Sequence, residues 1–322
     1  MRKTIVGKPT IFLTGLTYFV EQLGVTIFPA CEYRLQTVNL DSIHSYPRRL
    51  LALIHQLLHA KLWYQIGGYT GRGRIFRLAH MLRIPVVIHW VGTDVLSAIE
   101  YSSKSPQFVK VAKNLIHWAG APWLVDELRS IGIESKFMPL PIPPLSDVLS
   151  QDPPPLPPNF TVLSYLPDTR PGFYGADYIV RLATEFPDVP FLIAGGKGSY
   201  IVDKPPNIRF LGWVDNMGDI YAKATVVVRI TEHDGYGGTI QEALSFGRYA
   251  VWTYPFPEVF QAKDYSSLSS YIQCLLDRHA NGLLTINRRG REYMKETMHP
   301  TELATGIREG LAEILDMQNH GQ

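Results

Sequence analysis

The sequence predicts an α/β protein of two Rossmann-like domains, each a parallel sheet covered by helices, facing an interdomain cleft. Three observations predict it. Short, almost wholly apolar runs alternate with segments of helical period along both halves of the chain, the mark of parallel strands buried on both faces. The segment PLPIPPLSDVLSQDPPPLPP (139–158) holds 9 of the 24 prolines, and breaks the alternation. The 322 residues make two domains at about 100–200 residues each. The expected boundaries are a first domain over 1–145, a proline-rich linker over 146–159 and a second domain over 160–322. Proline fixes φ and removes the backbone donor, so the proline block is expected to hold neither helix nor inner strand.

In order, TIFLTG (10–15) reads as a buried strand, TYFVEQL (17–23) as a short helix and VTIFPA (25–30) as a strand. PRRLLALIHQLLHAKL (47–62) has the length and composition of a helix, IFRLAHMLRI (75–84) is another, and PVVIHWVG (85–92) is a strand ending at glycine. In the second half the strands are FTVLSYLP (160–167), VPFLIAGG (189–196), NIRFLGW (207–213), ATVVVRI (224–230) and YAVWTY (249–254). The helices between them are ADYIVRLATEF (176–186) and GGTIQEALSFG (237–247). Ligands of such folds sit at the carboxyl ends of the strands.

Composition narrows the function classes. Hydrophobic residues make up 46% and charged residues 19%, as in a protein with a sizeable core. Cys31 and Cys274 form no disulfide framework and no zinc spacing, and fit a reducing, cytoplasmic setting. No apolar run reaches the length of a spanning helix, and the basic start reads as the approach to a first strand, not as a signal peptide. Residues 1–150 carry 16 Lys and Arg against 9 Asp and Glu, while residues 151–322 carry 15 against 20. A basic half either prefers an anionic partner or is simply packed beside an acidic one. On the helix 47–62, Arg48, Arg49 and Lys61 lie among leucines. It is read first as burying its leucine face, with peripheral docking on anionic membrane as the alternative. Gly67-Gly68-Tyr69-Thr70-Gly71-Arg72-Gly73-Arg74 is only a loose dinucleotide fingerprint, lacking the third glycine and an acidic partner.

The chemistry concentrates in Thr231–Gly247. Asp234 and Glu242 bracket a glycine-rich loop, Gly235-Tyr236-Gly237-Gly238, which with Thr239 opens a helix. Glycines let the backbone approach a ligand, and free N–H groups at a helix start bind phosphate. Glu242 is then expected to accept from a ribose diol and Asp234 to hold sugar hydroxyls. The bland alternative is a capping box, Thr239-x-x-Glu242, in which Glu242 ties off the helix end.

The segment resembles the acidic-x7-Glu signature of retaining GT-B glycosyltransferases, especially family 4. FLIAGGKG, NIRFLGWV and IYAKATVVV resemble that family's flanking strands and helix, in order, over most of 160–255. Two departures stand out. Asp234 replaces the usual glutamate, and Tyr174 stands where a phosphate-binding lysine is expected. Arg170 is the nearby cation; it suits a phosphate or is a plain surface arginine. Lys197 in Gly195-Gly196-Lys197-Gly198 is a further donor-binding candidate. It is no P-loop lysine, because Phe191 occupies a position where that motif needs glycine.

In the first half, the resemblance places Gly15 at a turn facing the donor phosphate and His89 at a strand end facing the cleft, with Asp94 just beyond. His89, Asp94 and Asp234 are the catalytic candidates. The alternatives are a satisfied core histidine for His89 and a helix cap for Asp94.

The resemblance implies transfer of a sugar from a nucleotide-diphosphate sugar to an acceptor hydroxyl, with retention. The acceptor is a saccharide, a lipid-linked group or a protein, and no nucleic acid partner is expected. With no Asp-x-Asp and no His/Cys cluster, neither metal nor cofactor is expected. The chain is short for this fold, and its first domain reads as trimmed at the N-terminus. The competing readings are a nucleotide-sugar epimerase of the same fold and a binding or scaffold protein without catalysis. A nicotinamide oxidoreductase is opposed by the incomplete fingerprint.

Overall fold

A computed structural model describes residues 8–26, 33–37, 46–68 and 74–320. Part of the expected strand 25–30, Cys31 and residues 69–73 of the glycine-rich stretch 67–74 lie outside the described residues. The chain divides into two compact units, residues 1–143 with 300–322, and residues 144–299.

Among the described residues, unit 1 is built on six parallel strands: β1 (Thr10–Gly15), β2 (Arg34–Thr37), β3 (Leu62–Ile66), β4 (Val86–Trp90), β5 (Ile116–Ala119) and β6 (Lys136–Phe137). Their order is β2-β1-β3-β4-β5-β6. The helices are α1 (Thr17–Thr26), α2 (Tyr46–His59), α3 (Arg74–Met81), α4 (Asp94–Lys104), α5 (Pro106–Ala112) and α6 (Pro122–Ser130). Two boundaries differ from the sequence reading. α1 runs through Val25 and Thr26, expected as strand. α2 stops at His59, because the aromatic run LWYQI that follows prefers the buried centre of a sheet, where it forms β3.

Unit 2 opens with a correction. The proline block was expected to exclude helix, yet α7 (Leu145–Ser150) forms inside it. Its six residues contain no proline, and Leu145 and Leu149, four apart, are buried. The second sheet has six parallel strands: β7 (Val162–Leu166), β8 (Phe191–Gly195), β9 (Ile208–Gly212), β10 (Val226–Arg229), β11 (Tyr249–Trp252) and β12 (Phe260–Gln261). Their order is β12-β11-β10-β7-β8-β9. A short 3₁₀ turn, Gly172–Tyr174, precedes α8 (Ala176–Glu185). The remaining helices are α9 (Gly218–Tyr221), α10 (Gly238–Ser245), α11 (Tyr265–Ala280) and α12 (Arg288–Glu296). The core joins Val162, Phe191, Val226, Val228 and Val251 from the sheet to Ile179, Leu182, Leu268 and Ile272 from the helices.

The last helix, α13 (Pro300–His320), belongs to unit 1. Sequence order assigns it to the second half, but Ile307, Leu311, Ile314 and Leu315 pack into one cluster with Ile11, Leu13, Tyr64 and Trp118.

The direction of winding reverses between β7 and β10, since β7 lies between β10 and β8. The carboxyl ends of β7 and β10 therefore mark the strand-order switch point, the usual ligand position in such sheets.

Candidate active site

At the switch point of unit 2 lie the loop 167–175 after β7 and the loop 230–237 after β10. Glu232 N–H donates to the carbonyl of Phe173 at 3.0 Å. Gly175 has φ +73, and a Cβ there would lie 2.3 Å from the carbonyl oxygen of Ile230; glycine is required for the two loops to touch.

Asp234 does not stand free at this switch point. Arg229, the last residue of β10, clamps it with Nε on Oδ2 at 2.5 Å and an Nη on Oδ1 at 2.8 Å. Trp252, opposite Arg229 on β11, donates Nε1–H to Oδ2 at 3.2 Å, and the Gly235 N–H donates to Oδ1 at 3.0 Å. The two side chains are 14% and 10% exposed. Burial works against the guanidinium charge, but the neighbouring carboxylate more than offsets it and holds Arg229 above its ordinary value. Sequence reasoning missed Arg229. Its signal was a lone cation ending an apolar strand five residues before the acidic loop. The guanidinium also lies 6.0 Å from the ring of Tyr174, the residue that replaces the expected lysine.

Glu242 lies on the first turns of α10. Tyr221, buried on α9, donates its hydroxyl to Oε2 at 2.5 Å. Burial raises the Glu242 carboxyl above its ordinary range, opposed by the Tyr221 hydroxyl and the charge of Arg229. The capping-box alternative has no counterpart. The residue before α10 is Gly237, at φ 55 and ψ 66, and no side chain among the described residues caps the helix. α10 therefore presents uncapped N–H groups at its start. Thr239, on the first turn, has a buried hydroxyl with no hydrogen-bond partner among the described residues. Gly237 is fixed by packing as well, because a Cβ there would lie 2.7 Å from the Trp252 ring. Tyr236 turns from the helix start to Phe256, with ring centroids 5.1 Å apart, while its carbonyl accepts from Gln241 at 2.7 Å.

The two cations named from sequence are both exposed. Arg170 has φ 54, a left-handed conformation that non-glycine residues adopt rarely, and its guanidinium stacks 4.7 Å from the centroid of Phe173. At Lys197 the backbone is already engaged: Asp168 accepts from the N–H groups of Lys197 and Gly198 at 3.0 Å each. That carboxylate fills the glycine turn after β8, so the turn itself is no anion site.

In unit 1, His89 corrects the sequence reading. It was expected to face a ligand, yet it is 0% exposed. Its Nε2 lies 2.7 Å from the carbonyl oxygen of Met138 and its Nδ1 lies 2.7 Å from the hydroxyl of Tyr64. A carbonyl only accepts, so Nε2 carries the proton and Nδ1 accepts from Tyr64. Both nitrogens are spent. Burial lowers the imidazole to about 4, against a smaller opposing effect of the Met138 bond. His117 is built alike between Trp90 and the carbonyl of Ala112.

Asp94 opens α4, and its carboxylate lies against the backbone N–H groups of Asp94 and Val95 at the helix start. Its carboxylate gathers the preceding turn, accepting from Gly92 N–H at 2.7 Å and Val91 N–H at 3.2 Å. Burial raises it to about 6. Gly15 ends β1 at φ +128, and a Cβ there would lie 1.8 Å from the carbonyl oxygen of Ile66. The close approach of β3 thus demands glycine independently of any ligand. Gly15 and His89 lie in unit 1, whereas Arg170, Lys197, Asp234 and Glu242 lie in unit 2.

Residues 174–270 match the family described as glycosyl transferases group 1. The segment includes Tyr174, Arg229, Asp234 and Glu242. Among curated proteins, 82 residues are 35% identical to the UDP-N-acetylglucosamine–N-acetylmuramyl-(pentapeptide) pyrophosphoryl-undecaprenol N-acetylglucosamine transferase of a Sulfurihydrogenibium species. That match spans 26% of this chain and 22% of the relative. Among solved structures, HepE of Anabaena in complex with UDP-glucose aligns at a TM-score of 0.70 with 12% identity, over 94% of this chain and 99% of that one. Sucrose-phosphate synthase from Thermosynechococcus elongatus aligns at 0.68 with 14% identity, over 96% and 100%. The chain has the two-sheet fold of the GT-B glycosyltransferases.

Proposed function

We propose that the chain is a glycosyltransferase of the retaining, family-4 kind, moving a hexosyl group from a nucleotide-diphosphate sugar to an acceptor hydroxyl. The observation that carries this reading is the start of α10. An uncapped helix, a glycine loop and the buried hydroxyl of Thr239 meet at a strand-order reversal, with Glu242 one turn further on. Helix N–H groups bind diphosphate through their partial positive charge. Glu242, oriented by Tyr221, accepts from the ribose diol. Arg170, free of any ion pair among the described residues, meets the phosphate from the other loop.

Asp234 takes a different part from the one its position implies. Bound bidentately to Arg229, it holds the loop that carries Gly235 and fixes the guanidinium beside Tyr174, where it supplies a positive field for the leaving diphosphate. Arg229 is thus a positioning residue in place of a direct lysine contact. The carboxylates of the site are engaged with Arg229 and Tyr221, which supports transfer without a metal. Leaving-group charge is then met by α10 and the two arginines.

The test is product analysis. The chain is incubated with a panel of nucleotide-diphosphate sugars and acceptors, with and without a chelator. The expected products are an α- or β-glycoside of unchanged anomeric sense and free nucleoside diphosphate, at a rate the chelator leaves unaltered. Interconversion of donors without glycoside makes the chain an epimerase. Donor binding with neither outcome makes it a binding protein.

A further inference from the structure

Arg248 and Arg291 are buried, at 0% and 5% exposed, and among the described residues neither makes an ion pair. Both lie at the far end of α10, opposite its glycine start. That end closes through backbone bonds: the Arg248 N–H donates to the Ala243 carbonyl at 2.8 Å and the Gly247 N–H to the Leu244 carbonyl at 2.9 Å. Such a helix stop leaves the next carbonyl, that of Ser245, without a backbone donor. Arg291, on α12, donates one Nη to it. The other Nη lies 3.1 and 3.2 Å from the carbonyls of Val148 and Leu149 on α7 and against that of Gln151. The Arg248 guanidinium donates to the carbonyls of Pro154 and Pro155 at 2.5 and 2.9 Å, and its Nε has no hydrogen-bond partner among the described residues. Burial lowers Arg248 to about 10. It lowers Arg291 as well, against a weaker opposing effect of the exposed Asp152. Both guanidinium groups remain charged at neutral pH.

We propose that Arg248 and Arg291 are positioning residues for the donor phosphates, acting electrostatically through α10. Neutral donors would satisfy the same carbonyls, and a buried charge without a counter-ion costs stability that a neutral side chain does not. What the charge adds is a field. A cation against the carboxyl end of a helix offsets the negative pole there, so the positive pole at the glycine start acts on a ligand unopposed. α10 has 8 residues, a length of about 12 Å. Across that length, at an effective dielectric of about 20, the attraction of one buried cation for one phosphate charge is worth roughly tenfold in affinity. Covered guanidinium groups are screened by salt far less than exposed ones. The uncharged nucleoside part of a donor feels none of this attraction. The proposal rests on the donor-site reading of the α10 start.

The experiment is calorimetric titration of the full chain with UDP, GDP and ADP, each beside its own nucleoside. The variants are Arg291→Gln and Arg291→Lys, with Arg248→Gln and Arg248→Lys as a second, independent pair. Glutamine keeps a hydrogen-bond donor and removes the charge, whereas lysine keeps the charge and removes the fork. For the base that the parent binds best, each glutamine variant is expected to lose roughly tenfold in affinity for the diphosphate, with affinity for the nucleoside unchanged. Each lysine variant is expected to keep the parent's ratio of the two affinities, even where its melting temperature falls. A purely structural role moves both affinities together or neither. Glutamine variants with the parent's ratio therefore overturn the proposal, as does a lysine variant that behaves like glutamine. Because the positions are read separately, a variant that does not fold at one leaves the test standing at the other. A parent that binds diphosphate no better than nucleoside ends the donor-site reading and the proposal with it, whereas equal losses against an intact parental preference end the proposal alone.

Discussion

At Glu242 the alternatives make opposite predictions about one substitution. The helix has no capping box, so Glu242→Gln is expected to leave stability nearly unchanged. Affinity for the nucleotide-diphosphate sugar should fall by roughly 1.5–3 kcal/mol, the range for a hydrogen bond to a charged group. Calorimetric titration beside a thermal melt reads both, and unchanged affinity ends the ribose assignment. Arg229→Leu has the reverse signature. It strands Asp234 as a buried, uncompensated charge, and such losses cost about 3–5 kcal/mol. Chemical unfolding of the variant should show that loss, with Arg229→Leu/Asp234→Leu recovering much of it. His89 and Asp94 make a pair of opposite sign in pH. His89 is held to about 4 in the folded state, below its unfolded value, so its contribution is full above about 6.5 and is lost as pH falls toward 4. Asp94 is raised to about 6, so its contribution is full below about 4 and is lost as pH rises through 6. Between these limits the two oppose. His89→Gln should flatten or reverse the loss of stability below pH 6.5, and Asp94→Asn should steepen it. Identical slopes in both variants and the parent would show that neither group is perturbed.

At the scale of the element, the start of α10 is set by glycine. Gly237 combines a positive φ with a ring against its α-carbon, so Gly237→Ala carries backbone strain and a clash with Trp252. Tryptophan fluorescence and the melting temperature should both shift, and donor affinity should drop with them, because the ring and the helix start move together. An alanine variant with the parent's affinity and spectrum would separate the helix start from the ligand.

For the molecule as a whole, the return of α13 to unit 1 decides which half depends on the C-terminus. Removing residues 300–322 strips Ile307, Leu311, Ile314 and Leu315 from the cluster around β1 and β3. Hydrogen exchange of the truncated chain is expected to show lost protection in β1 and β3, with β7 and β10 close to the parent. Equal loss in both sheets would show that the helix serves both units.

The fold class, the paired parallel sheets and the acidic glycine loop were legible in the sequence, because they are local. Apolar runs such as VVIHW and VVVR need no partner to be recognised as strands, and glycines before a helix announce its start. Local too was the error at α7, where a proline count hid a six-residue helix with its own leucine spacing. What the tertiary structure decided is how the polar groups are spent. Nothing in the chain's order says that Tyr64 and Met138 consume both nitrogens of His89, that Asp168 fills the turn at Lys197, or that Arg229 claims Asp234. Each partner approaches through the packing of separate strands and loops. A polar side chain's role follows from which bonds remain to it after folding, and that remainder is a property of the packed sheets and not of the sequence motif.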